Sequence, residues 1–313
     1  MKYNNLGRSG LKVSELSLGS WITFGNNLDL AGVKSAMRAA VDRGVNFFDN
    51  AEAYARGEAE VLMGEAMREF RREDLVISTK IYWGGNGPND TGLSWKHLVE
   101  GTRASLRRLK VGYVDLLYCH RPDPTTPVDE TVRAMDYIIR SGYAFYWGTS
   151  EWEAEQIASA YQLAEKYNCI PPTMEQPQYN MFYRERVERE YSPLCKKHGL
   201  GLTIWSPLAS GILTGKYNEG IPKGSRLATN EWLQKELKPE RVGRVKALTQ
   251  FAKELGFSMT QLAIAWCLKN KYVNTVITGA TNVEQIDENL RSAEMKDRIN
   301  DEAMKKIEHL LES

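Results

Sequence analysis

Asp49, Tyr54, Lys80 and His120 are the residues of this chain whose types and spacing could move a proton onto an oxygen atom. A tyrosine hydroxyl titrates near ~10, too high for easy proton exchange at neutral pH. An ammonium such as that of Lys80 stabilises the phenolate and lowers that value. The ammonium needs a counter-charge of its own, and Asp49 supplies it. His120 can hydrogen-bond a carbonyl oxygen and orient it towards the phenol. This is apparatus for protonating an oxygen that gains negative charge, as a carbonyl oxygen does on accepting hydride. The set has no nucleophile–base pair of the Ser-His kind and no clustered metal ligands. Taken singly, each residue has a plainer explanation: a packed tyrosine, a core histidine, a lysine snorkelling from a strand end. Their joint placement is what favours chemistry.

That placement depends on the elements around them. Short apolar runs that read as strands cover residues 14–21, 45–51, 75–81, 114–120, 144–150, 173–180, 201–209 and 274–280. Between them lie stretches with apolar residues at helical spacing, such as 31–44 and 153–168. Gly44, Gly142, Gly199 and Gly256 stand where helix C-caps are expected. Eight β–α alternations in one domain, 1–313, predict a (β/α)8 TIM barrel rather than an open doubly wound sheet. A small hairpin is expected around Arg8-Ser9-Gly10, and residues 241–272 add a further pair of helical stretches near the C-terminus. Barrel active sites lie at the C-terminal ends of the strands. Asp49 ends the second run, Lys80 the third and His120 the fourth, while Tyr54 lies in the loop after the second.

Composition is that of an ordinary soluble globular chain, 42% apolar and 26% charged. A formal net charge of +1 provides no global field for nucleic acid or a membrane surface. Cys119, Cys169, Cys195 and Cys267 form no CxxC pair and are expected as reduced, mostly buried thiols of a cytoplasmic protein, with no metal site. No run approaches a membrane span, and residues 1–19 lack the apolar core of a signal peptide. The basic helix 94–110, with His97, Arg103, Arg107 and Lys110, reads as a solvated outer helix rather than a nucleic-acid patch.

A cofactor must supply any hydride, because side chains cannot. No GxGxxG follows a strand and opens a helix. The "GGNGPND" segment after Lys80 fails that spacing and reads as a mobile loop on the substrate side. Barrels commonly bind phosphates through the loops after strands seven and eight. Here the first offers backbone amides around Ser206, Leu208 and Ala209, then Lys216 and Arg226. The second opens a helix whose N-terminal amides suit an anion.

The segments "GVNFFDNAEAYA", "VISTKI" and "VDLLYCHRPD" resemble the signature of the aldo-keto reductases. Longer stretches, including "HRPDPTTPVDETVRAM", "WSPLASGILTGKY" and "GATNVEQIDENL", are similar to the branch that contains potassium-channel β subunits. The resemblance covers nearly the whole chain. It implies NADPH-dependent reduction of aldehydes and ketones, with Asp49, Tyr54, Lys80 and His120 as the catalytic tetrad. It also implies NADP(H) across the mouth of the barrel. Trp21, Asp49, Ser150, Gln176 and Trp205 would lie at the nicotinamide end. Ser206, Pro207, Leu208, Ala209, Lys216 and Arg226 would lie along the phosphates. Gly279, Thr281, Gln285, Glu288 and Asn289 would lie at the adenosine end. Many family members have an arginine at the place of Gln285, so Arg226 is expected to cover the 2′-phosphate. Trp21, Tyr82 and Trp83 would line the substrate side. A homo-oligomer, a tetramer by preference, is implied as well. The alternative is an NADP(H)-binding redox-sensing accessory subunit of a channel. Against it stand His120, where channel subunits have asparagine, and Met1 lying almost at the start of the barrel. A phosphate-handling isomerase or aldolase on the same fold would leave Tyr54 and the Trp205 loop unexplained.

Overall fold

The computed structural model describes residues 1–312. It opens with the expected hairpin, β1 (Tyr3–Asn5) and β2 (Lys12–Ser14), paired antiparallel. Eight parallel strands follow: β3 (Leu16–Gly19), β4 (Phe47–Asp49), β5 (Val76–Ile81), β6 (Val114–Cys119), β7 (Ala144–Ser150), β8 (Met174–Gln176), β9 (Gly201–Ile204) and β10 (Val273–Thr278). They pair in chain order, and β10 returns to β3, which closes the barrel. The helices on its outside are α1 (Leu30–Asp42), α2 (Glu58–Met67), α3 (Trp95–Leu109), α4 (Val128–Arg140), α5 (Ala154–Lys166) and α6 (Ser192–His198). The connection from β9 to β10 is longer and holds α7 (Arg226–Thr229), α8 (Pro239–Glu254) and α9 (Met259–Leu268). After β10 come α10 (Val283–Met295) and α11 (Asp301–Glu312). The (β/α)8 barrel predicted from the alternation is the observed fold.

Strand residues are buried on both faces, so they read as continuous apolar runs rather than alternating ones. The pleat still sorts them. Val76 of β5 joins an inner cluster with Phe47, Leu116, Tyr118, Met174 and Ile277, while Ile77 and Ile81 join the layer under the helices. Leu6 and Val13 of the hairpin enter the same inner cluster and stopper the N-terminal end of the bore. Gly44, Gly142, Gly199 and Gly256 all have positive φ (84°, 75°, 67° and 76°), as helix-terminating residues should.

Several strands stop earlier than their apolar runs. The run 173–180 forms a strand only over Met174–Gln176, because Pro177 has no N–H to give the ladder, and a single bridge from Gln178 to Trp205 follows it. The run 201–209 ends at Ile204, and Ser206 and Ala209 beyond it turn left-handed (φ 55° and 46°). Of the basic helix, Arg103, Arg107 and Lys110 are exposed as expected. His97 is a correction: it is buried and pairs with Glu52 (Nε2···Oε1 3.1 Å), whose carboxylate also accepts from Tyr82 N.

Candidate active site

The pleat decides which side chains enter the bore. Counting by twos from the inner-cluster residues, Phe47 leads to Asp49, Val76 to Ser78 and Lys80, Tyr118 to His120, and Met174 to Gln176. Asp49, Lys80, His120 and Gln176 land at the C-terminal ends of their strands, and Ser78 sits one inward step below Lys80. Lys80 is fully buried (0% exposed), and its ammonium donates to Asp49 Oδ2 at 2.6 Å, Asn50 O at 2.7 Å and Tyr54 OH at 3.1 Å. Asp49 Oδ1 accepts from Ser78 Oγ at 2.7 Å and from Gln176 Nε2 at 3.0 Å. Tyr54 arrives from outside the sheet, on a 3-10 turn (Tyr54–Gly57) where Ala55 and Arg56 are left-handed. Gly57 completes this reversal at φ 90°; a Cβ there would meet Arg108 Cδ at 2.8 Å. His120 stands edge-on to Tyr54, ring centroids 5.8 Å apart.

The electrostatics differ from the sequence expectation in one respect. Burial, with Asp49 adding to it, pushes the Tyr54 phenol well above its usual value, outweighing the lowering effect of Arg121. Tyr54 is therefore held as a neutral phenol. Burial also lowers Lys80, and Asp49 opposes that shift by charge and hydrogen bond. Burial, then Lys80 and Arg121, drive His120 well below its ordinary value, so its ring is neutral at physiological pH. Its Nδ1 is buried with no hydrogen-bond partner.

Aromatic walls rise around this floor. The Trp83 ring stands 5.0 Å from that of His120 and 4.7 Å from that of Tyr82. The loop they belong to has a stem, with Gly84 N bonded to Asp90 O and Gly92 N to Tyr82 O. On the opposite wall Trp21 meets Trp205 edge to face at 5.7 Å, and the Arg226 guanidinium lies 4.9 Å over Trp21. Ser150 Oγ donates to Gln176 O at 2.9 Å. The loop after β9 runs from Ser206 through Pro207, Leu208 and Ala209 to Gly211, where a Cβ would meet Lys216 Nζ at 3.1 Å. After β10, Thr281 N donates to Gln285 Oε1 (3.0 Å) and Asn289 Nδ2 to Gly279 O (3.3 Å). Gln285, Glu288 and Asn289 share one face of α10, being three and four residues apart.

A family model of the aldo/keto reductases matches residues 15–312. The chain belongs to the aldo/keto reductase family. It is 55% identical to a protein of Arabidopsis thaliana named "Probable voltage-gated potassium channel subunit beta" and 54% identical to one of the same name from Oryza sativa subsp. japonica. Both alignments cover 100% of this chain and 97% of the relative. A "Putative voltage-gated potassium channel subunit beta" of Schizosaccharomyces pombe is 48% identical over 98% of this chain and 92% of its own length.

Aldo/keto reductases are oxidoreductases that generally bind nicotinamide cofactors, and the mouth of this barrel fits such a group. The Nε and Nη2 of Arg226 are buried with no partner, as is Ser225 Oγ beside them. Unpaired buried donors of that kind suit a phosphate. Lys216, folded against Gly211, adds a second cation to the same connection. Gln285 uses its Oε1 on Thr281, which leaves only its amide donors for a ligand. In this aldo/keto reductase, Arg121 and Glu151 are the polar residues at the mouth that sequence reasoning did not select. Glu151 Oε1 accepts from Trp205 Nε1 at 2.9 Å and Gln178 N at 2.6 Å, and Oε2 from Arg186 at 2.8 Å, so it fixes the Trp205 ring. The available signal was a charged residue directly after each of two predicted strand ends.

Proposed function

We propose that the protein is an NADPH-dependent reductase of aldehydes and ketones. The observation that carries this reading is the fully buried Lys80 ammonium, held at once by Asp49 and against the Tyr54 hydroxyl at the C-terminal mouth of the barrel. The nicotinamide, when bound, would supply the hydride. Trp205, Trp21, Ser150 and Gln176 would hold its ring end; Ser206, Pro207, Leu208, Ala209, Lys216 and Arg226 would hold the phosphates. Gly279, Thr281, Gln285, Glu288 and Asn289 would hold the adenosine.

The substrate carbonyl oxygen would sit between Tyr54 OH and His120. A high phenol pKa suits a donor, because Tyr54 stays protonated until an alkoxide, a far stronger base, forms beside it. The phenolate left behind accepts from the Lys80 ammonium, and Asp49 keeps that ammonium charged. Neutral His120 offers one ring N–H to orient the carbonyl without itself giving up a full charge. Tyr82 and Trp83 exclude water from this position.

The relatives' names favour a second reading, a β subunit of a potassium channel; on that reading this protein would bind the nicotinamide, dock on a channel as a homotetramer and turn over slowly. No helix among the described residues is long and apolar enough to cross a membrane, so such a subunit would act as a peripheral partner. Following the absorbance of NADPH with purified protein and a panel of aldehydes separates the two. Tyr54→Phe is expected to reduce turnover about 1,000-fold while NADPH affinity stays within about threefold. Tight NADPH binding without turnover in the wild type would move the assignment to the accessory subunit.

A further inference from the structure

Most half-buried arginines here are committed to carboxylates: Arg72 to Asp115, Arg108 to Glu60, Arg184 to Glu188, Arg186 to Glu151 and Arg241 to Glu236. Arg121 is not. It directly follows His120, is half-buried, and has two hydrogen bonds and one ring contact as its interactions. Both hydrogen bonds come from Nη1, to His120 O at 2.5 Å and Ser150 Oγ at 3.3 Å. They pin the guanidinium between the ends of β6 and β7. Its carbon lies 5.6 Å from the Trp83 ring, the same ring that stands 5.0 Å from His120. Nε and Nη2 have no protein acceptor, yet neither is a buried orphan, so both remain accessible to solvent. Asp123, the carboxylate two residues on, is occupied elsewhere: it accepts from Leu93 N at 2.8 Å, Thr125 N at 2.9 Å and Thr126 Oγ1 at 2.7 Å.

An uncompensated cation in this place has a cost. It adds to the forces that depress Lys80 and His120. A neutral donor could make the contacts to His120 O and Ser150 Oγ without that penalty. What only a guanidinium offers is a planar pair of charged donors, the match for a carboxylate. We propose that Arg121 is the specificity-determining residue of this site, and that it selects short carbonyl compounds bearing a carboxylate. The aldehyde oxygen would lie at Tyr54 and His120 and the carboxylate on Nε and Nη2, with Trp83 packed beside the chain between them. The proposal rests on the reductase reading above and names the substrate class for the same site.

The test compares succinic semialdehyde with pentanal, two aldehydes of similar length that differ in the terminal charge, using the full chain with NADPH. The wild type is expected to prefer succinic semialdehyde in kcat/KM by about tenfold or more, a preference that weakens as salt is raised. Arg121→Met should lower the ratio of the two kcat/KM values about 10- to 100-fold, chiefly through the KM for succinic semialdehyde. Arg121→Lys should restore part of it. A wild type with no preference, or an Arg121→Met variant that slows both aldehydes equally or loses NADPH affinity in step, would overturn the proposal and leave Arg121 as a support for His120 and the cofactor. If the wild type turns over neither aldehyde, the reductase reading fails. Binding of succinic semialdehyde to the NADP+-loaded protein, lost in Arg121→Met or absent from both, then decides the anion site by itself.

Discussion

At the N-terminal end of the barrel, Asn274 Oδ1 accepts from Gly7 N (3.2 Å) and Leu202 N (3.0 Å), and Asn46 exchanges hydrogen bonds with the Ser14 backbone and hydroxyl. At the C-terminal end, His120 Nδ1 and two nitrogens of Arg226 are buried with no partner. The backbone shows the same contrast. Ile22, Ala55, Arg56, Glu151, Ser206, Ala209 and Ser210 take left-handed conformations in loops that follow strands, and Ile22 is β-branched, for which that region is a true outlier. The stoppered end is more fully satisfied, with fewer exceptions: Lys110 and Asn168 are left-handed ahead of β6 and β8, and Arg72 Nε, just before β5, is buried with no partner. The open end holds strain and unspent donors that a packed protein would not keep without a ligand to receive them.

Breaking this contrast begins with the buried pair at the open end. Lys80→Met should strand the Asp49 carboxylate and cost about 3–5 kcal/mol in urea unfolding, along with nearly all turnover. Adding Asp49→Asn should return most of that stability and none of the activity. Full stability in the single variant would mean that the pair is not desolvated as described. At the closed end, Asn274→Ala leaves the Gly7 and Leu202 amides without their acceptor. An expected loss of about 2 kcal/mol should come with unchanged kcat and KM below the melting range. A drop in kcat for the folded variant would show that the two ends are coupled.

Arg226→Gln should do the reverse. NADPH affinity measured by fluorescence titration should fall about tenfold, more than NADH affinity does, while unfolding stability holds or rises because a buried unpaired cation is gone. A pH-dependent effect lies just outside the bore. Glu175 is buried on β8 beside Thr149, whose hydroxyl donates to its Oε2; Oε1 is unpartnered, and burial pushes its carboxyl from 4.5 up to about 8. The raised value favours the folded state at low pH, and that contribution is lost as pH climbs from 4.5 towards about 8. Glu175→Gln should therefore come close to the wild type near pH ~5 and exceed it by up to about 4 kcal/mol near pH ~8 in chemical denaturation, at about 1.4 kcal/mol per pH unit. Equal gains at both pH values would place the benefit elsewhere.

How much of this was legible beforehand differs from residue to residue. The strand–helix alternation, the capping glycines and the strand-end positions of Asp49, Lys80 and His120 are properties of neighbours along the chain, and periodicity carries them. The hairpin around Arg8–Gly10 was visible for the same reason, although nothing local said that Leu6 and Val13 would plug the bore. Strand lengths were overread wherever an apolar run outlasted its pairing, as at Pro177 and Ser206. His97 was placed with the exposed charges of its helix because its partner, Glu52, lies 45 residues away.

The sequence by itself determined the barrel and the chemical types at its mouth, since both follow from short-range pattern and from the order of the strands. Tertiary structure alone decided the charge states. Whether Tyr54 is acidified by Lys80 or held neutral turns on how deeply it is desolvated, and burial wins. Gln176 reaches Asp49 across 127 residues of chain, and Arg121 is left without a carboxylate while nearby Asp123 and Glu151 accept from other groups. Pairing and desolvation are set by which distant segments meet, and that information exists only once the barrel has closed.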